Sequence, residues 1–369
     1  MINYIFRMSL FFIQSKLFIE INFKMLDKKS RIKVLVHLSF LLVPFLIFSI
    51  TSQIYTNQEE PDYNGDVVKN PKKSGYWIVS PIIIDGNSGW ETASSTYDWI
   101  TGSGTWIDPY IIENVRIDGG YSDSCILIRN SNVYFIIRNV TVYHSGAGSQ
   151  DAGIVLNSVN KGTLTNNSFS DNYNGVYIVY GNNNTLSENI VSNNIKNGIY
   201  LDSSNNNTVS GNTANINRDY GIRMNLGDNN TISGNTANNN GYYGIYISDY
   251  SGYNTIEGNT ANNNSDHGIY LWGSHNTIVS GNTANNNSDH GIYLLHSDSN
   301  NIVSENTANN NGDYGIELHY SDNNVVLRND AHNNRAGIML YDSNENEILR
   351  NTCSNNWEGG ILVYSDSAS

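Results

Sequence analysis

Residues 268–290 read Gly268-Ile-Tyr-Leu-Trp-Gly-Ser-His-Asn-Thr-Ile-Val-Ser-Gly-Asn-Thr-Ala-Asn-Asn-Asn-Ser-Asp-His290, and Gly291-Ile-Tyr-Leu then begins the same phrase again. Working outward, equivalent glycines stand at Gly153, Gly175, Gly198, Gly221, Gly244, Gly315, Gly337 and Gly360, always 22 to 24 residues from the next. Within each repeat the apolar residues alternate with polar ones in short bursts. That is the pattern of strands and not the 3.6-residue stripe of a helix.

Aligning the repeats separates inward from outward positions. Four columns stay apolar throughout. They are represented by Ile245, Ile269 and Ile292 after the glycine, by Ile247, Leu271 and Leu294 two residues on, by Ile256, Val279 and Val303 in the second burst, and by Ala261, Ala284 and Ala308 in the third. The sequence therefore predicts an all-β chain, a right-handed parallel β-helix of about ten coils of 22–24 residues with three short strands per coil. Single-residue insertions fall in turns and leave these columns in register. Two further columns are Asn in nine coils, Asn167 to Asn351 and Asn172 to Asn356. They are expected both to turn corners with left-handed backbone and to bond the same amide one coil away.

Such stacking explains the composition. Only 15% of the 369 residues are charged and the net charge is −14, against about 25% charged in an ordinary domain. In a solenoid each surface residue meets a near-copy of itself about 4.8 Å away, where like charges repel. From residue 74 onward there are 28 acidic and ten basic residues. That balance excludes nucleic acid as a partner, and the aromatic content of 11% with only five prolines excludes disorder. Cys125 and Cys353 lie nine coils apart, too far to pair.

The first part of the chain is different material. Residues 1–24 read as an over-extended start ahead of Met25. Residues 25–54 read as a signal peptide or N-terminal membrane anchor, with Lys28, Lys29, Arg31 and Lys33 before the apolar run Val34 to Ile50. Residues 55–75 form a linker, residues 76–120 an N-terminal cap with entering strands, and residues 121–369 the repeats. The expected location is extracellular or the cell surface, with contact to membrane only through the N-terminal segment. The final coil carries no capping residues, so the expectation is either a truncated gene or an edge covered by a partner, self-association among the options.

The repeats resemble the NosD-like (periplasmic copper-binding) and carbohydrate-binding/sugar-hydrolase groups of the right-handed parallel β-helix superfamily. Residues Gly104-Thr-Trp-Ile-Asp-Pro-Tyr-Ile-Ile-Glu-Asn-Val-Arg-Ile-Asp-Gly119 are similar to the opening segment of surface proteins of this kind. The resemblance runs from about Ser80 to the C-terminus and implies the fold. It also implies carbohydrate or copper as ligand classes.

The outward position two residues after the glycine reads Tyr177, Tyr200, Arg223, Tyr246, Tyr270, Tyr293 and Glu317, with Trp272 beside it. A stripe of rings flanked by amides and acids suits sugar rings, which offer C–H faces and hydroxyls together. The expected function is an exported or surface protein that binds carbohydrate or another extended ligand along this face. Rival readings are a polysaccharide lyase or hydrolase, a structural or adhesive spacer, and a NosD-like copper-site accessory protein. An enzyme is not the favoured reading. Its candidate catalytic residues are Asp313, Glu317 and His319, which without a facing carboxylate read as a solvated group. Asp266, His267, Asp289 and His290 recur in adjacent coils and are the candidate ligands for calcium or copper, although no cofactor is required by the pattern.

Overall fold

The computed structural model describes residues 75–365. The segments read as an extended start, an export signal and all but the end of the linker lie outside the described residues. Among the described residues no helix is long and apolar enough to cross a membrane.

The chain winds as a parallel solenoid whose walls are three sheets. The first sheet has twelve strands, from Ile82–Asp85 to Gly359–Tyr364. The second also has twelve, from Ile100–Thr101 to Glu347–Leu349. The third has five, ending at Ile190–Val191. It continues as single bridges through Thr213, Thr236, Thr260, Thr283, Thr307, Asp330 and Thr352. Its third burst offers one inward alanine per coil, enough for one ladder position and no more. Pairing between coils is parallel and in register, as Tyr246 with Tyr270 and Tyr270 with Tyr293. Only Ile100–Thr101 runs antiparallel, against Tyr110–Glu113.

All four predicted apolar columns face inward and form one continuous core with its neighbours. Its N-terminal end is closed by helix α1 (Gly86–Thr96). Trp90 of α1 is fully buried, stacks on Tyr110 at 5.2 Å and on Phe135 at 4.9 Å, and donates its indole N–H to Ser131 Oγ at 3.0 Å. The recurring glycine is required by close approach. A Cβ on Gly268 would stand 2.7 Å from the Gly291 carbonyl oxygen and 2.8 Å from Ala284 Cβ.

The invariant asparagines form ladders, but they do not turn the corners. The left-handed residue is in each case the one before, for example Asn166, Glu188, Gly211 and Gly258 ahead of Asn167, Asn189, Asn212 and Asn259. That preceding residue points outward and varies, whereas the asparagine itself is buried. Asn259 shows why. Its Oδ1 accepts the Asn235 main-chain N–H and the Asn235 Nδ2 amide, both at 2.9 Å. Its Nδ2 donates to the Ile232 carbonyl at 2.8 Å and to Asn282 Oδ1 at 3.0 Å. A third ladder, unremarked in the sequence pattern, runs through Asn184, Asn207, Asn230 and Asn254.

Replacing Asn259 by Ala strands two donors of Asn235 and the Ile232 carbonyl. At about 1–3 kcal/mol per stranded group, the loss is expected to be on the order of 3 kcal/mol or more. Gly258→Asn, at the left-handed corner next to it, is expected to change stability by less than about 1 kcal/mol. Urea unfolding of both variants checks the contrast; equal losses would disprove the ladder assignment.

Candidate functional site

Alternation along each strand of the first sheet sends the residue two after the glycine to the outside. Register then piles these residues into a column. Tyr177 stacks on Tyr200 at 4.9 Å, and Tyr246, Tyr270 and Tyr293 stack at 5.0 Å each. Arg223 fills the gap between the two groups, its guanidinium 4.8 Å from the Tyr200 ring and 5.9 Å from that of Tyr246. The next outward position supplies polar partners. Tyr177 Oη donates to Asp202, Asn225 Nδ2 donates to Tyr200 Oη at 3.0 Å, and Arg223 Nε donates to Asn225 Oδ1 at 3.2 Å.

A second column of rings stands beside the first, from the position just before the glycine. Tyr220, Tyr243, His267, His290 and Tyr314 lie nearly parallel, with His267 and His290 4.8 Å apart and 7° from coplanar planes. The columns interlock edge to face, as His267 with Tyr270 and Tyr293. The rings thereby bury one another: Tyr270 is 9% and Tyr177 4% exposed. This corrects the picture of open ring faces ready for sugar. Interior rings of the pile present edges and hydroxyls instead. Those of Tyr220, Tyr243 and Tyr270 have no protein partner among the described residues, yet they are not sealed from solvent. Burial raises the pKa of all three phenols, so they stay protonated as donors.

The C-terminal end of the pile is acid–base in character. Glu317 occupies the tyrosine position and is buried, not solvated as its sequence context suggested. Its Oε2 lies 2.8 Å from His290 Nε2 and its Oε1 3.3 Å from His319 Nδ1. The Tyr293 hydroxyl is also 3.3 Å from His319 Nδ1. Asp313 instead pairs with Arg335 at 3.4 Å, away from Glu317. Burial resists charge on His290, but the bond to Glu317 and the carboxylates of Glu317, Asp289 and Asp313 outweigh it and raise its pKa. His267 has no such partner, and burial with His290 above it lowers its pKa to about 3.

Donor atoms of His267, Asp289 and His290 lie within 4.8 Å of one another, but the set does not fit an ion. The two rings are parallel, so their in-plane lone pairs do not converge. Each Nδ1 already accepts a main-chain N–H, from His290 at 3.3 Å and from Tyr314 at 3.2 Å. His267 Nδ1 therefore cannot donate to Asp266 Oδ1, 3.2 Å away, and that oxygen has no partner. Copper would need converging ring nitrogens, and calcium needs six to eight oxygens. Trp272 is 41% exposed and takes part in no ring contact among the described residues, so it stands apart from the pile.

Sequence reasoning thus located the first column and the His–Asp repeat. The second column lies on a corner, and alternation does not say where a corner points.

Comparison with known proteins adds three facts. Residues 82–261 and 244–369 match the family model of the right handed beta helix region. No curated protein matches the chain in sequence. Among solved structures, the chain is similar to the mannuronan C-5 epimerase AlgE6 A-module of Azotobacter vinelandii, at 14% identity and TM-score 0.51, over 70% of this chain and 84% of that one. It is also similar to the periplasmic alginate epimerase AlgG, at 15% identity and TM-score 0.51, over 77% and 84% of the two chains. The Dettilon tailspike protein follows at 15% identity and TM-score 0.47, over 78% and 61%.

The low pKa of His267 has a consequence for stability. The group is neutral in the fold down to about pH 3, while the unfolded chain takes up its proton below 6.5. Its contribution is whole above pH 6.5 and is lost as pH falls from there toward 3. His267→Tyr, using the residue found at 243 and 314 in the same column, is expected to flatten the fall in Tm between about pH 7 and pH 4. Parallel curves for variant and parent would show that His267 is not the source.

Proposed function

The chain belongs to the right-handed beta helix family, and from that premise we propose that it is an exported protein whose first sheet binds carbohydrate along its outer face. The observation that carries the reading is the pair of ring columns, Tyr177 to Tyr293 with Arg223 in its gap and Tyr220 to Tyr314 beside it. A glycan laid along the solenoid axis meets hydroxyl donors about every 4.8 Å, with Asn225, Asp202 and Arg223 beside them. Ring edges supply apolar contact and the phenols supply the polar handle that sugar hydroxyls require. The mannuronan and alginate epimerases that share the fold are named for polysaccharide substrates; at their identities the likeness extends to the fold, and the reading rests on the ring columns.

Because the ring faces are hidden, the hydroxyls are the part to remove. The triple variant Tyr220→Phe, Tyr243→Phe, Tyr270→Phe keeps the stack and deletes three donors that have no protein partner among the described residues. Glycan-array binding is expected to fall by about tenfold or more, at roughly 0.5–1.5 kcal/mol per hydrogen bond, with an unchanged Tm. Retained affinity would defeat the reading.

A second reading, catalysis on the bound polymer, is favoured by the buried Glu317 held between two imidazoles with the Tyr293 hydroxyl next in line. Such a chain can pass a proton between the surface and a buried carboxylate. Glu317→Gln is expected to abolish any release of unsaturated or reducing ends while sparing glycan binding. Activity left intact would remove Glu317 from that role.

A further inference from the structure

Four successive coils at the start of the ring pile carry a second feature, on the corner that leads into the first sheet. A groove of about 420 Å³ opens there, lined by Tyr173, Ile195, Lys196, Arg218, Asp219 and Tyr242, with Gly241 in its floor. Lys196 Nζ lies over the Tyr173 ring at 5.6 Å. Tyr242 reaches Tyr220 at 6.0 Å, and Tyr220 in turn lies 5.5 Å from the Arg223 guanidinium. The groove is therefore continuous with the ring columns.

Its charge runs against that of the molecule. Of the ten basic residues described, Arg129, Arg138, Arg328 and Arg335 each sit 2.8–3.4 Å from a carboxylate, and Arg116 and Lys161 lie over tyrosine rings. Lys196 and Arg218 line one groove from neighbouring coils and make no ion pair among the described residues, although Asp219 lines the same groove. Like charges in neighbouring coils repel, in a chain that otherwise avoids them. An anion between Lys196 and Arg218 removes that cost. Tyr173 and Tyr242 flank the groove at its two ends, three rungs apart, and Tyr242 is half exposed. Farther along the same corner the residues turn to Asp266, Asp289 and Asp313, which succeed one another through main-chain bonds. A ligand charged along its whole length would be repelled there, so the groove selects one acidic unit and not an extended polyanion.

We propose that this groove is a subsite for a carboxylate-bearing sugar unit of a glycan, its carboxylate held by Lys196 and Arg218. The proposal rests on the carbohydrate reading of the ring columns and adds the substrate class.

The test is calorimetric titration of the full chain with a neutral oligosaccharide carrying one terminal galacturonate and with its methyl ester, which lacks the charge. The acid is expected to bind about tenfold tighter than the ester. Lys196→Gln/Arg218→Gln is expected to remove that advantage and leave the ester unchanged, with raised salt acting like the variant. Equal binding of the two forms by the parent, or an advantage that survives in the variant, overturns the subsite while leaving the ring columns as a carbohydrate face. So does binding of neither form when neutral glycans are retained on the array. Inorganic phosphate binding as tightly as the acid would overturn the sugar assignment in favour of general anion capture. A blank array together with no binding of either form overturns both readings.

Discussion

A buried amide must be hydrogen-bonded on both its carbonyl and its nitrogen, and here each coil supplies half of what its neighbour needs. Asn259 shows the rule: it receives two bonds from the coil before and donates both back to a carbonyl of that side and forward to Asn282. No single repeat satisfies its own asparagines, so coils are stable only as a stack. Register is set by the same bonds, because a slip by one residue would move every inward isoleucine to the outside and strand every ladder amide.

The outer face follows from that register. Once Tyr246, Tyr270 and Tyr293 are paired across adjacent strands, the rings have nowhere to go but onto each other, and the neighbouring corner column packs against their edges. The result is an aromatic layer outside the core, separate from it, with edges and hydroxyls as its surface. Where the repeat is broken by a charged residue the pile changes chemistry. Arg223 inserts a cation between Tyr200 and Tyr246, and Glu317 ends the column with a carboxylate, four coils along the sheet. The same stacking that disfavours repeated charge makes each exception stand out.

Much of this was legible in the repeats. The period, the four apolar columns, the parallel pairing and the outward tyrosines all follow from local alternation, because side-chain direction in a strand is fixed by count alone. The two asparagine columns were legible as essential, but their role was half misread: the buried residue and the left-handed residue are neighbours, Asn259 and Gly258, and a column of identities does not tell them apart. Lys196 and Arg218 were invisible as a pair, since they lie 22 positions apart in a corner whose shape depends on three-dimensional winding. The burial of Glu317 was equally hidden, because His290, which bonds it, comes from the corner of the preceding coil.

The sequence by itself determined the solenoid, since a period of 22–24 residues with alternating apolar bursts has one way to bury its apolar side chains. It also determined the sparse charge, which follows from every residue facing its own copy. Only the tertiary structure decided what the outer face presents. Corners carry no periodic signal, and whether His267 and His290 point to solvent or lie against Tyr270 and Tyr293 depends on backbone turns that alternation does not encode. Parallel stacking of those two imidazoles leaves their lone pairs side by side, so a His–Asp repeat suggestive of metal in one dimension becomes part of an aromatic wall in three.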